Sequence, residues 1–213
     1  ADMDNDLIPD LIVTEMLPET LSRQKNKQVY ESYDKFTLAG SKGYHKQYPR
    51  NALQRNLGNT FYEVGRQLGL SATEWSWAAL LFDMDNDGYK DVYISNGIYK
   101  DLLDRDYLNY YANDEQISQI LRSGKEVITD LIDLMPSKAV TNAVFRNNGD
   151  FTFSDKRLDW GLDQPSFSNG SAYGDLDNDG DLDLVVNNVN SEAFVFENHS
   201  EVENNHFLSV VLK

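Results

Sequence analysis

The stretch "DMDNDGYKD" (Asp83–Asp91) puts four carboxylates into nine residues. It returns as "DLDNDGDLD" (Asp175–Asp183) and, imperfectly, as "DMDNDLIPD" (Asp2–Asp10). Like charges this close repel one another in water, and chain folding gains nothing from them unless a cation lies between. Of the 35 acidic residues, 24 are Asp. Surface solvation does not require that bias, whereas short-armed metal loops do.

In the pattern D-x-D-x-D-G-x-x-D, positions 1, 3 and 5 aim three carboxylates at one centre. Position 7 offers a backbone carbonyl, and position 9 a carboxylate able to bind through both oxygens. With one water this gives about six or seven hard oxygens, a set that suits Ca²⁺ and exceeds what Mg²⁺ usually takes from protein. Gly88 and Gly180 at position 6 permit the left-handed turn the loop needs, but Leu7 stands there in the first copy. An EF-hand opens in the same way and then requires a bidentate Glu at position 12, between two helices. Here position 12 is Ile94, Val186 and Val13, each inside an apolar β-like run. The chain also lacks the G-G-x-G-x-D nonapeptides of a parallel β-roll, so the reading is a calcium loop in a β-hairpin.

The loops belong to a longer repeat. Residues 51–97 align with 142–188: Asn51, Asn56, Gly58, Phe61, Gly69, Leu70, Ser76 and Asn96 meet Asn142, Asn147, Gly149, Phe153, Gly161, Leu162, Ser168 and Asn188, with one inserted residue. Each copy holds four short β-like runs: "ALQRN", "TFYEV", "WAALLF" and "DVYISN" in the first, "AVFRN", "FTFSD", "GSAYG" and "DLVVNN" in the second. Asn, Gly and Asp turn signals separate the runs. Four strands in about forty to fifty residues make one propeller blade.

The expected organisation is therefore all-β: blades of four antiparallel strands with calcium hairpin loops and helical insertions, in a fragment of a larger propeller. Residues 1–15 end one blade, 51–97 and 142–190 are complete blades, and 191–213 hold the first strand of the next blade and the start of a following C-terminal region. Residues 16–50 and 98–141 have helical spacing of apolar residues, with Asn113 or Asp114 as a cap and Pro136 as a stop. They are expected as excursions from the blades rather than as a separate domain, since neither segment can bury a core of its own.

Composition sets the context. A net charge of −16 and a pI near 4.4 argue against nucleic acid and anionic membrane surfaces as partners. Without cysteine there is no disulfide, thiolate site or Cys nucleophile. No apolar run approaches the length of a membrane span. His45, His199 and His206 match no zinc spacing, and no nucleophile elbow, phosphate loop or dinucleotide fingerprint is present.

Around its loops, "SNGSAYGDLDNDGDLDLVVNN" resembles the FG-GAP/VCBS repeat, the blade of integrin α-chain-type propellers. With "EMLPE", "YPRNALQRN", "SATEWSWAALLFDMDNDGYKD" and "NHFLSVVL", the chain is similar to the VCBS-repeat proteins of Bacteroidota that carry a C-terminal ASPIC/UnbV domain. The resemblance implies a calcium-stabilised propeller in a secreted or cell-surface protein, associated with the outer membrane of a Gram-negative bacterium and without catalysis. It assigns as ligands Asp83, Asp85, Asp87, the Tyr89 carbonyl and Asp91, then Asp175, Asp177, Asp179, the Asp181 carbonyl and Asp183. A third set is Asp2, Asp4, Asp6, the Ile8 carbonyl and Asp10, where Leu7 departs from the pattern. Two calcium ions are expected, and a third if the first loop also binds.

The implied function is adhesion or scaffolding toward a glycan or a surface protein, including other components of an outer-membrane complex. The alternative is part of a polysaccharide lyase-like enzyme. Trp75 and Trp77 flank Ser76 and are the candidates for a sugar platform, although two Trp at alternate facing are more often one core and one surface residue. Tyr107, Tyr110 and Tyr111 form either a contact patch or the buried stripe of an inserted helix.

Overall fold

The computed structural model describes residues 1–27, 32–111, 115, 117, 118, 122, 127–200 and 210. Ten strands form among them: β1 (Leu11–Val13), β2 (Ala52–Asn56), β3 (Phe61–Glu63), β4 (Ser76–Phe82), β5 (Asp91–Asn96), β6 (Ala143–Asn147), β7 (Phe153–Asp155), β8 (Ser168–Gly174), β9 (Asp183–Asn188) and β10 (Phe194–Phe196). They pair into three antiparallel sheets, in the orders β1-β2-β3, β4-β5-β6-β7 and β10-β9-β8. The fold is thus mostly β, as the alternating runs predict. Both long hairpins carry the same irregularity in their pairing, between Ser76 and Ala79 and between Ser168 and Gly170.

The hydrogen-bonded sheet is out of phase with the sequence repeat. Residues 51–97 do not make one sheet: β2 and β3 pair with β1, whereas β4 and β5 pair with β6 and β7 of the following copy. Residues 142–190 are divided in the same way. Self-similarity fixes the period of a repeat and not where its structural unit begins, since every cyclic shift of the frame is equally self-similar. The strand "NHFLSVVLK" expected near the end lies outside the described residues except for Val210.

Two units divide the chain. The first comprises Ala1–Leu17, Arg50–Ile98 and Ala139–Lys213 and contains all three sheets. All six residues of β5 are buried, because both faces of this central strand are covered. One core cluster gathers Met3, Leu53, Leu70, Val92, Ile94 and Ala143, and a second gathers Phe82, Met84, Tyr93, Val144, Leu184 and Val186. The second cluster joins the four-stranded sheet to β9, so each sheet buries its apolar face against the next.

The second unit comprises Pro18–Pro49 and Tyr99–Lys138. It contains α1 (Leu21–Lys27), α2 (Tyr33–Ser41), α3 (Arg105–Tyr110) and α4 (Val127–Leu134). The two segments expected as helical insertions combine into this one unit. The buried Asp101 meets Lys27 at 2.9 Å, and Asn26 donates to Asp104 at 2.7 Å. Asp104 also caps α3 by accepting from the Tyr107 N–H at 2.9 Å. The Tyr107 hydroxyl donates to the Leu131 carbonyl, which ties α3 to α4. Only Tyr107 of the three tyrosines is buried; Tyr110 and Tyr111 are exposed. Helix α4 ends two residues before Pro136, as the stop signal predicts, whereas the caps at Asn113 and Asp114 lie outside the described residues. No helix among the described residues is long and apolar enough to cross a membrane.

Candidate metal centres

The loops Asp83–Asp91 and Asp175–Asp183 are the turns that join β4 to β5 and β8 to β9, and Asp2–Asp10 leads into β1. All three adopt one backbone path. The residues at positions 4 and 6 are left-handed in each: Asn86 (φ 56°) and Gly88 (94°), Asn178 (66°) and Gly180 (96°), Asn5 (57°) and Leu7 (69°). Leu7 therefore keeps the turn that glycine makes elsewhere and bears the steric strain of doing so. Position 1 folds the loop over itself: Asp83 accepts from the Asp87 and Gly88 N–H groups at 3.0 and 2.9 Å, and Asp2 from Asp6 and Leu7 at 3.2 and 2.8 Å. The position 7 residues Tyr89, Ile8 and Asp181 each donate their N–H to the position 5 aspartate, at 2.9, 2.8 and 3.0 Å.

The ninth aspartate is buried in each loop and has partners at the same two positions every time. Asp91 accepts from Met84 and Asn147, Asp10 from Met3 and Asn56, and Asp183 from Leu176 and Asn198, at 2.9 and 2.8 Å in each pair. Burial pushes the Asp91 carboxyl up to about 7, against the pull of its two N–H donors, and Asp85 and Asp87 add to the rise. Burial also raises Asp83. Such carboxylates favour a neighbouring positive charge.

Carboxylate oxygens converge within 4.8 Å in three triads: Asp2, Asp4 and Asp6; Asp83, Asp85 and Asp91; Asp175, Asp177 and Asp179. Asp87 stands outside its triad and pairs with the Arg146 Nη2 at 2.7 Å, while the Arg146 Nε reaches Asp85. Asp10 and Asp183 stand outside theirs as backbone latches. Asp181 is buried and accepts from the Asn86 Nδ2 at 2.6 Å.

The donor set fits calcium, because every converging side-chain atom is a hard carboxylate oxygen. Asp4 gives the sharper test. Its side chain is 10% exposed, its Oδ2 meets Arg55, and its Oδ1 is buried with no hydrogen-bond partner. An ionised oxygen left so is strongly unfavourable unless a cation satisfies it.

Sequence reading misses the residues around the triads. Arg55 and Arg146 sit at equivalent places in "ALQRN" and "AVFRN", and each pairs with aspartates of the loop before it. Asn147 sends its Nδ2 to the Met3 carbonyl at 2.7 Å, and Asn198 sends its own to Met84 at 2.7 Å, so successive loops are stitched together. Asn5 does the same toward the Gly88 carbonyl at 3.1 Å. The available signal was the repeated "RN" dipeptide, whose partners are distant in sequence.

Away from the loops, the Trp75 and Trp77 rings lie 6.4 Å apart at 36°. Trp77 is 48% exposed and its Nε1 donates to the Gly97 carbonyl at 2.7 Å; Trp75 is half-buried. Ser76 between them is buried and hydrogen-bonded to Thr73 and Asn96.

Residues 128–186 match the sequence profile of the FG-GAP-like repeat. The matched span takes in β6, β7, β8 and the loop Asp175–Asp183, so the likeness to that family is supported over one repeat. No curated protein matches the chain.

Proposed function

We propose that this chain is a calcium-stabilised segment of a β-propeller in a secreted or surface-displayed protein, where it serves as a binding or scaffolding module for a glycan or a protein. The observation that carries the reading is one loop geometry repeated at three sheets, each loop with its own triad of carboxylates and its own buried ninth aspartate. Bound calcium supplies the divalent charge that lets these carboxylates stay ionised side by side. The chain's own residues do the rest. Positions 4 and 6 bend the loop, position 1 closes it, and position 9 fastens it to the following strand.

Constant stitching from loop to loop supports a blade-after-blade arrangement, since Asn147 and Asn198 make the same bond one step apart. Ligands of this kind are held for stability and not for turnover, and burial raises the carboxyls of Asp83 and Asp91 within the second loop. Contact with a partner falls to exposed surface, with Trp75 and Trp77 first if the partner is a glycan. The wider likeness to the VCBS-repeat proteins of Bacteroidota, with their ASPIC/UnbV domain and outer-membrane setting, belongs to the same proposal.

A glycan array probed with and without calcium, beside a polysaccharide-degradation screen, tests it. The proposal expects calcium-dependent retention without product. Product release abolished by a point change outside the three loops would overturn it in favour of an enzyme.

A further inference from the structure

The three loops share a backbone but not a charge environment, and the difference resides in one position of the following strand. The register identifies that position without appeal to sequence similarity. Leu11 pairs with Gln54, Val92 with Phe145 and Leu184 with Phe196, so the next residues, Arg55, Arg146 and Glu197, are structural equivalents. The residues after those, Asn56, Asn147 and Asn198, donate their N–H groups to the three ninth aspartates and fix the equivalence from the other side.

Arg146 spans Asp85 and Asp87, and Arg55 holds Asp4 through its Nε and Nη2 at 2.8 and 2.7 Å. In the third loop the same place carries an acid. Glu197 is 63% exposed and lies 3.9 Å from the His199 Nε2. That loop is also the most acidic, with Asp at positions 1, 3, 5, 7 and 9, where the second loop has Tyr89 at position 7. Its internal bonds differ accordingly. The Asp175 Oδ1 accepts from Asn178 at 2.6 Å, one residue earlier than the Asp87 and Asp6 donors of the other loops, and Asp177 accepts from Asp179 at 3.2 Å.

We propose that Arg55 and Arg146 are resident counter-cations that hold the first two loops in shape without metal, whereas Glu197 makes Asp175–Asp183 the loop whose order depends on calcium and the tightest of the three sites. The inference rests on the calcium reading given above. A guanidinium beside two carboxylates supplies part of the charge a metal would supply, and so repels the metal while it steadies the loop. Replacing it by a carboxylate reverses both effects. The opposite outcome is equally concrete: if the arginines acted chiefly as outer partners that orient ligands, adding one would tighten the site.

Glu197→Arg and Arg146→Gln separate the two, and Glu197 is exposed enough for substitution to leave the fold intact. Calcium titration calorimetry should give one tight class in the wild type. Glu197→Arg should weaken that class about tenfold or more, the scale of a reversed charge beside a partly exposed site after screening. Hydrogen exchange in EDTA should find the amides of Asp83–Asp91 protected about tenfold more than those of Asp175–Asp183. Arg146→Gln should abolish that difference. Calcium binding that Glu197→Arg leaves unchanged or tightens overturns the inference alone, as does equal protection of the two loops in EDTA. A wild type that binds no calcium overturns the calcium reading as well.

Discussion

Asp91 and Asn147 are joined across the pairing of β5 and β6: the Asn147 backbone N–H donates to the Asp91 Oδ1 at 2.8 Å while Met84 takes the Oδ2 at 2.9 Å. The same pair of bonds closes the first and third loops through Asp10 and Asp183. Each carboxylate oxygen keeps a further lone pair, so latching and metal binding are compatible. The ninth aspartate is thus a structural residue whatever else it holds.

Asp91→Ala is accordingly expected to destabilise the chain by about 2–5 kcal/mol, because two buried N–H donors lose their acceptor. Asp91→Asn, which keeps one acceptor oxygen, is expected to cost about half as much. Urea denaturation in EDTA isolates this effect from metal binding. A midpoint for Asp91→Ala equal to the wild type would contradict the latch.

Leu7 offers a gain rather than a loss. Its left-handed conformation (φ 69°) is strained by about 1–2 kcal/mol relative to glycine, and at 91% exposure its side chain buries nothing in compensation. Leu7→Gly relieves that strain but frees the unfolded chain by about 0.5–1 kcal/mol, so the net stabilisation expected is about 0.5–1 kcal/mol. A lower denaturation midpoint would show that the Leu7 backbone is relaxed.

Gly97 is constrained in the other direction. It has φ 131°, and a Cβ there would lie 2.8 Å from the Phe167 Cα and 3.0 Å from the Ser166 carbonyl oxygen, both backbone atoms that cannot swing away. Gly97→Ala should therefore cost about 2 kcal/mol or more, from clash and backbone strain together. A thermal scan within a degree of the wild type would be inconsistent with this close approach.

Much of this was legible in the sequence, and the boundaries of what was legible have physical causes. The aspartate spacing announces the loops because so dense a charge has few other uses, and the turn glycines mark where the backbone must be left-handed. The repeat gives the period of the strands but not their grouping, so the sequence pattern groups β4 and β5 with β2 and β3, whereas they pair with β6 and β7. The second unit was hidden because the pairs that close it, Lys27 with Asp101 and Asn26 with Asp104, join segments far apart in the chain. The arginines escaped notice for the same reason, since "RN" carries no sign of the loop it reaches.

Calcium should contribute measurably to stability. Calcium loops of extracellular modules in general bind at about 10⁻⁴–10⁻³ M. Each site that fills only in the folded chain adds about 2.7 kcal/mol when free metal is a hundredfold above the dissociation constant. The melting temperature is expected to rise with added calcium and to fall with EDTA; a Tm indifferent to both would contradict the stabilising role.

The central claim is that these aspartates gather around calcium, and a crystal structure grown in calcium and measured for anomalous scattering tests it most directly. The account predicts peaks at the centres of the loops Asp83–Asp91 and Asp175–Asp183, ringed by oxygens alone at about 2.3–2.6 Å. Density without an ion in both loops, with the aspartates turned out to solvent, would contradict it.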